Sequence, residues 1–217
     1  MKKIEKEKSL GEQAYSIIKL SIISGDLHPG DALPEEKIAK HLGISRTPLR
    51  EAFQRLANEG LIYMKKGRPA IVASFTLEEA LELLEVRRIM EIHNLEMIEP
   101  YIDEPFILEL EECIEQQEQT IKDINYQTFI DLDLKFHLLL ASKNKNKKFV
   151  ELIKDLNNGV NRAFLLLSHT LPISAYDAVE EHKLIVNALK NINISCAKQN
   201  MEYHIHEIGK RIQTYLK

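Results

Sequence analysis

The chain has 217 residues, enough for one large or two small domains that each bury a core, and its 44% hydrophobic and 29% charged content is normal for a soluble globular protein and argues against disorder. Its net charge of −4 is unevenly spread: residues 1–72 carry 13 Lys and Arg against 9 Asp and Glu, leaving 16 against 24 in the remainder. A basic front and an acidic back suit a nucleic-acid-binding domain joined to one with another task.

The amino terminus, MKKIEKEKSLGEQ, is not followed by a hydrophobic stretch, so it does not read as a secretory signal. No apolar run approaches the roughly 20 residues of a membrane span. Cys113 and Cys196 stand far apart without paired spacing and read as buried or incidental thiols of a reducing compartment, the cytoplasm. Ser9-Leu-Gly-Glu12 has the form of a capping box. After it, Tyr15, Ile18, Leu20, Ile22 and Ile23 predict a largely buried first helix that stops at Gly25.

A turn rich in proline and glycine follows, with Pro34 suited to the first turn of a second helix over 34–41. The run AKHLGISRTPLRE, 39–51, then carries a helix-turn-helix pattern. Counted from Glu35, a small Ala39 falls fifth, Gly43 ninth and Leu49 fifteenth. Crossing helices need a small residue at their contact and a residue tolerant of positive φ between them. Ser45 can cap the third helix, over 46–58, and Arg46 and Arg50 project from one face of it. Arginine is well shaped to grip guanine O6 and N7. After Gly60, Leu61-Ile62-Tyr63-Met64 and Ala70-Ile71-Val72-Ala73 flank Lys65-Lys66-Gly67-Arg68-Pro69, a β-hairpin with a basic tip. Three helices and a basic hairpin describe a winged helix whose tip lies along phosphates or enters a minor groove. An ordinary helical hairpin with solvated arginines is the alternative reading of the same residues.

Ser74-Phe75-Thr76 marks a boundary. Thr76 and Glu79 form a second capping box, and every later pattern is helical, near 77–98, 105–122, 127–142, 147–169, 174–190 and 194–216. The fold class is therefore mainly α: an N-terminal winged helix-turn-helix followed by an all-α six-helix bundle.

Residues 33–73 resemble the winged-helix domain of the GntR superfamily of bacterial regulators, whose signature LGISRTPLREAFQRLANEGLIYMKKGRPAIV matches almost continuously. The rest resembles the FCD effector domain of the FadR branch. The matching pieces are Val86-Arg87-Arg88-Ile89-Met90-Glu91, Asp133-Leu134-Lys135-Phe136-His137, Glu181-His182 with Ile185 and Ala188, and Met201-Glu202-Tyr203-His204. Six helices in a short second domain are similar to the VanR-like subgroup. The resemblance covers about 8 to 216 and implies a winged-helix DNA-binding domain over 8–74 and an FCD effector-binding and dimerisation domain over 76–217. It implies a homodimeric, ligand-responsive transcription factor on a palindromic double-stranded operator, with no membrane partner. Arg46 and Arg50 would read bases, Ser45 and Thr47 would hold phosphates, and Lys66, Gly67 and Arg68 would form the wing tip. Some members carry a DNA-gripping arginine in the second helix. Glu36 stands here instead and does not take that role.

Asp133 and His137 are four apart and share a helix face. His182 and His204 lie on two other predicted helices. Taken singly, each histidine reads as a hydrogen-bonded core or surface residue. The resemblance implies that Asp133, His137, His182 and His204 together ligate a divalent transition metal, zinc, nickel or manganese. His206 lies about 200° round the helix from His204 and points elsewhere. His28, His41, His93 and His169 match no ligand position. Arg87 resembles the arginine that fixes a small organic acid effector, while an ion pair with Glu91 or Glu85 is its structural alternative. Leu138-Leu139-Leu140 and Leu165-Leu166-Leu167 read as core or dimer packing, and the Lys143–Lys148 run as a solvated loop.

The leading expectation is a metabolite-responsive regulator, not an enzyme. A metalloenzyme is the competing class, since three histidines and a carboxylate can activate water. No nucleophile–base pair, phosphate loop or cofactor fingerprint accompanies them. A pure metal sensor is the third possibility.

Overall fold

The computed structural model describes residues 9–74, 76–166 and 171–215, and the chain divides into two units between Phe75 and Thr76. His169, the Leu165-Leu166-Leu167 packing and the end of the helix expected to reach 169 lie outside the described residues and side chains.

The first unit holds α1 (Leu10–Ile23), β1 (Ala32–Leu33), α2 (Glu35–Leu42), α3 (Arg46–Asn58), β2 (Ile62–Tyr63) and β3 (Ala70–Val72). Ser9 and Glu12 cap α1 reciprocally, satisfying its first free N–H groups. Ala14, Ile18 and Ile22 of α1 and Leu49, Ala52, Phe53 and Leu56 of α3 are buried where the two helices pack. Leu20, expected inside, is exposed: it falls on the opposite side of α1 from Ile18 and Ile22. At the helix-turn-helix corner Ala39 is buried and Gly43 ends α2 at φ 67°, a left-handed conformation that glycine adopts without Cβ strain. Ser45 occupies the cap position of α3, but its side chain makes no capping hydrogen bond, contrary to expectation.

The sheet has three strands in the order β1-β3-β2, all antiparallel, with Ala32 opposite Ile71 and Ile62 opposite Val72. The sequence pattern predicts only the β2–β3 hairpin. β1 is two residues inside a proline- and glycine-rich turn, and its partner strand lies beyond α3, so no local period marks it. Leu33, Ile62, Ala70 and Val72 are buried, anchoring the hairpin against the helices.

The second unit is an all-α bundle: α4 (Leu77–Ile98), α5 (Glu104–Lys122), α6 (Tyr126–Ser142), α7 (Lys147–Leu166), α8 (Leu171–Lys190) and α9 (Ile194–Tyr215). A 3-10 turn, Glu99–Tyr101, joins α4 to α5. Thr76 and Glu79 cap α4 as expected. Pro172, expected to precede this helix, lies within the described part of α8. α8 packs on α5 and α9, α4 on α7 and α9, and α6 on α5 and α7. Leu95, Leu110, Phe136, Ile153, Ile185 and Met201 are buried at these seams. The Lys143–Lys148 run is not wholly solvated. Asn144 is buried and donates to Asn94 Oδ1 at 2.8 Å, while its own Oδ1 accepts from the Asn146 N–H at 2.9 Å.

Candidate metal centre and nucleic-acid interface

In the first unit, Ser45, Arg46, Thr47 and Arg50 are all exposed at the start of α3. The arginines do not project alone. Arg46 Nη2 donates to Glu36 Oε2 at 3.2 Å, and Arg50 Nε donates to both Glu35 oxygens at 3.0 and 2.9 Å. Beyond β2, the Arg68 N–H donates to the Lys65 carbonyl at 3.1 Å, closing a turn in which Gly67 takes φ 76°. Glycine carries that angle freely, and Lys66 and Arg68 stand exposed beside it.

The second unit brings three of the sequence-predicted residues to one buried point. His137 on α6, His182 on α8 and His204 on α9 each offer a ring nitrogen, and these atoms lie within 4.8 Å of one another. Asp133, one turn before His137, places Oδ1 3.6 Å from His182 Nε2. Each imidazole is oriented by a partner at Nδ1: Glu91 Oε2 at 2.6 Å for His137, Gln117 Oε1 at 3.0 Å for His182, and Glu181 Oε2 at 2.7 Å for His204. The Gln117 amide is itself fixed, because its Nε2 donates to the Leu132 carbonyl at 3.1 Å. Phe136 stacks on the His182 ring at 4.0 Å between centroids.

Acceptors at every Nδ1 put the proton there and leave the Nε2 lone pairs free. All three Nε2 atoms are buried without a hydrogen-bond partner among the described residues. Burial, and then the neighbouring His204 and His137, holds His182 well below the usual 6.5; burial and then His137 does the same for His204. Both are therefore neutral, the form that coordinates a metal. Burial raises Asp133 above its usual 3.8, with His137 and Arg87 opposing. Burial acts to raise Glu91 too, but its interactions with His137 and Arg87 outweigh it and hold the carboxyl far below its usual range. Three converging lone pairs, a carboxylate beside them and acceptors behind each ring form a donor set that fits a divalent transition metal.

Arg87 lies buried on α4 and its Nε donates to Glu91 Oε1 at 2.8 Å, so of the two glutamates weighed from sequence the partner is Glu91. Its Nη1 is buried and unpartnered among the described residues. Arg211 on α9 grips Glu181 with Nη1 at 2.6 Å and Nη2 at 3.0 Å, completing an arginine–glutamate–histidine chain like that of Arg87, Glu91 and His137. His206 and His93 are exposed, away from the cluster. Sequence reading missed Gln117 and Arg211, weighed Glu91 only as an ion-pair partner of Arg87 and not as the partner of His137, and saw Glu181 only as a motif letter. Nothing near Gln117 in the sequence marks it. Both cysteines are free, and burial pushes Cys113 up to about 11, which leaves it an inert thiol.

No helix of the described residues is long and apolar enough to cross a membrane. Residues 10–72 match the family described as bacterial regulatory proteins, gntR family, and residues 82–207 match the FCD domain. The chain is 28% identical over 205 residues to the HTH-type transcriptional regulator YdhC of Bacillus subtilis, covering 94% of this chain and 91% of that protein. It is 25% identical to the HTH-type transcriptional repressor RspR of Escherichia coli, covering 94% and 89%. A solved structure of a GntR regulator from Rhodococcus aligns with TM-score 0.72 at 24% identity, over 95% of this chain and 99% of that one. With a helix-turn-helix unit in front and an FCD bundle behind, the chain belongs to the gntR family of bacterial transcriptional regulators.

Proposed function

We propose that the chain is a homodimeric, cytoplasmic, metabolite-responsive regulator. Arg46 and Arg50 read bases of a palindromic operator, Ser45 and Thr47 hold phosphates, and Lys66, Gly67 and Arg68 form the wing contact. In the bundle, Asp133, His137, His182 and His204 hold a divalent transition metal, with zinc, nickel or manganese suited to imidazole and carboxylate donors. When bound, such an ion supplies a Lewis-acid anchor for the carboxylate of a small organic acid. Arg87 offers its unpartnered Nη1 to the same acid.

The observation that carries this reading is the set of three buried Nε2 atoms without partners, since buried polar groups are otherwise satisfied. An uncapped, exposed Ser45 hydroxyl supports the phosphate role. Effector binding then shifts the balance between two placements of the wings, by the difference in its affinity for them.

The test is a titration of an operator selected from random duplexes. Arg46→Ala should cost about 1–3 kcal/mol on that operator and relax one base position. Adding metal and then a panel of small carboxylic acids should change affinity only in the second step. If affinity follows metal alone and no acid alters it, the site is a metal sensor. If Arg46→Ala binds selected and random DNA as the unaltered protein does, the readout assignment is wrong.

A further inference from the structure

The two arginine–glutamate pairs on the helix-turn-helix differ in a way that bears on sequence choice. Glu35 is 27% exposed and spends both oxygens on Arg50, so it is a closed partner. Glu36 is 83% exposed and touches Arg46 through Oε2 alone. Its Oε1 makes no hydrogen bond among the described residues, and Arg46 keeps the rest of its donor fork. Side by side, the pair offers donors and then an acceptor. It is also neutral overall, so little Coulomb attraction pulls it toward phosphates, and its pattern of donors and acceptors is what a base edge meets.

In the major groove a G·C pair presents two acceptors, guanine N7 and O6, followed by one donor, cytosine N4. An A·T pair puts the adenine N6 donor where the second acceptor would be and meets the arginine donor to donor. We propose that Glu36 is a base-reading residue acting together with Arg46, the ion pair reading one G·C pair through guanine O6/N7 and cytosine N4. The proposal rests on the reading that the start of α3 contacts bases. The polarity of the pair also distinguishes G·C from C·G.

Operator selection from a random duplex library, run on the full-length protein and on Arg46→Ala, Glu36→Ala and Glu36→Gln, tests it. Arg46→Ala marks the position read by the pair. Glu36→Ala should lower discrimination at that same position by about tenfold and leave the others unchanged. Glu36→Gln should retain most of it, because the amide oxygen accepts the same hydrogen bond without the charge. The proposal is overturned if Glu36→Ala and Glu36→Gln behave alike, raising affinity for every sequence by one factor with an unchanged preference. Should Arg46→Ala leave the preference intact as well, the base-contact reading of α3 fails, and the Glu36 proposal with it.

Discussion

Glu91 accepts from two side chains at once, His137 at 2.6 Å and Arg87 at 2.8 Å, and through them it orients one proposed metal ligand and one proposed effector anchor. Removing its charge should therefore loosen metal binding without removing any ligand. Glu91→Gln is expected to weaken metal affinity by about 10–100-fold, read by competition against a chromogenic chelator, with helical content unchanged. Wild-type affinity in that variant would show that the carboxylate is only structural. The buried imidazoles also set a pH response in the metal-free protein. Both His182 and His204 sit well below 6.5 when folded and regain that value when unfolded. Below about 6.5 the unfolded chain takes up protons that the folded one refuses, so their contribution is whole above that pH and lost progressively beneath it, by up to about 1.4 kcal/mol per pH unit for each ring. Chelator-treated protein should melt at lower temperature at about pH 5.5 than at about pH 7.5, and an equal or higher melting point would contradict the buried neutral assignment.

α5 and α8 both finish with an isoleucine in the left-handed region, Ile124 at φ 55° and Ile192 at φ 52°. Each is followed by an asparagine that caps the next helix, Asn125 accepting from the Thr128 N–H and Asn193 from the Cys196 N–H. A β-branched residue there is strained, and with 74% and 72% exposure neither side chain recovers the cost by burial. Ile124→Gly and Ile192→Gly should each stabilise the fold by about 1 kcal/mol in urea melts; loss of stability in both would show that the turns are relaxed as they stand. Such ends also explain what is legible in the sequence. The capping boxes at Ser9 and Thr76 and the glycine at 43 are local signals, and the elements they bound lie where the pattern puts them. β1 and the buried Asn144 are not legible because both depend on partners far along the chain, Ile71 for one and Asn94 for the other.

Across the whole molecule, the same division separates what residue patterns reveal from what only packing reveals. Histidine spacing on α6, α8 and α9 says which residues share a helix, but only the stacking of α8 between α5 and α9 brings the rings together. Gln117 belongs to the site solely through that stacking, from a helix that carries no other member of the cluster. Basic and acidic halves were visible as charge counts, whereas the pairing of the α3 arginines with α2 glutamates was not, since it needs the sharp corner at Gly43. In the proposed function the bundle holds a metal through three imidazoles. The most direct test of this is the metal content of the purified full-length protein after exposure to zinc, nickel or manganese and removal of the excess, measured by native mass spectrometry. One ion per chain is expected, lost in His204→Ala while the helical signal persists. No bound ion in the unaltered protein, or the same content in His204→Ala, would contradict it.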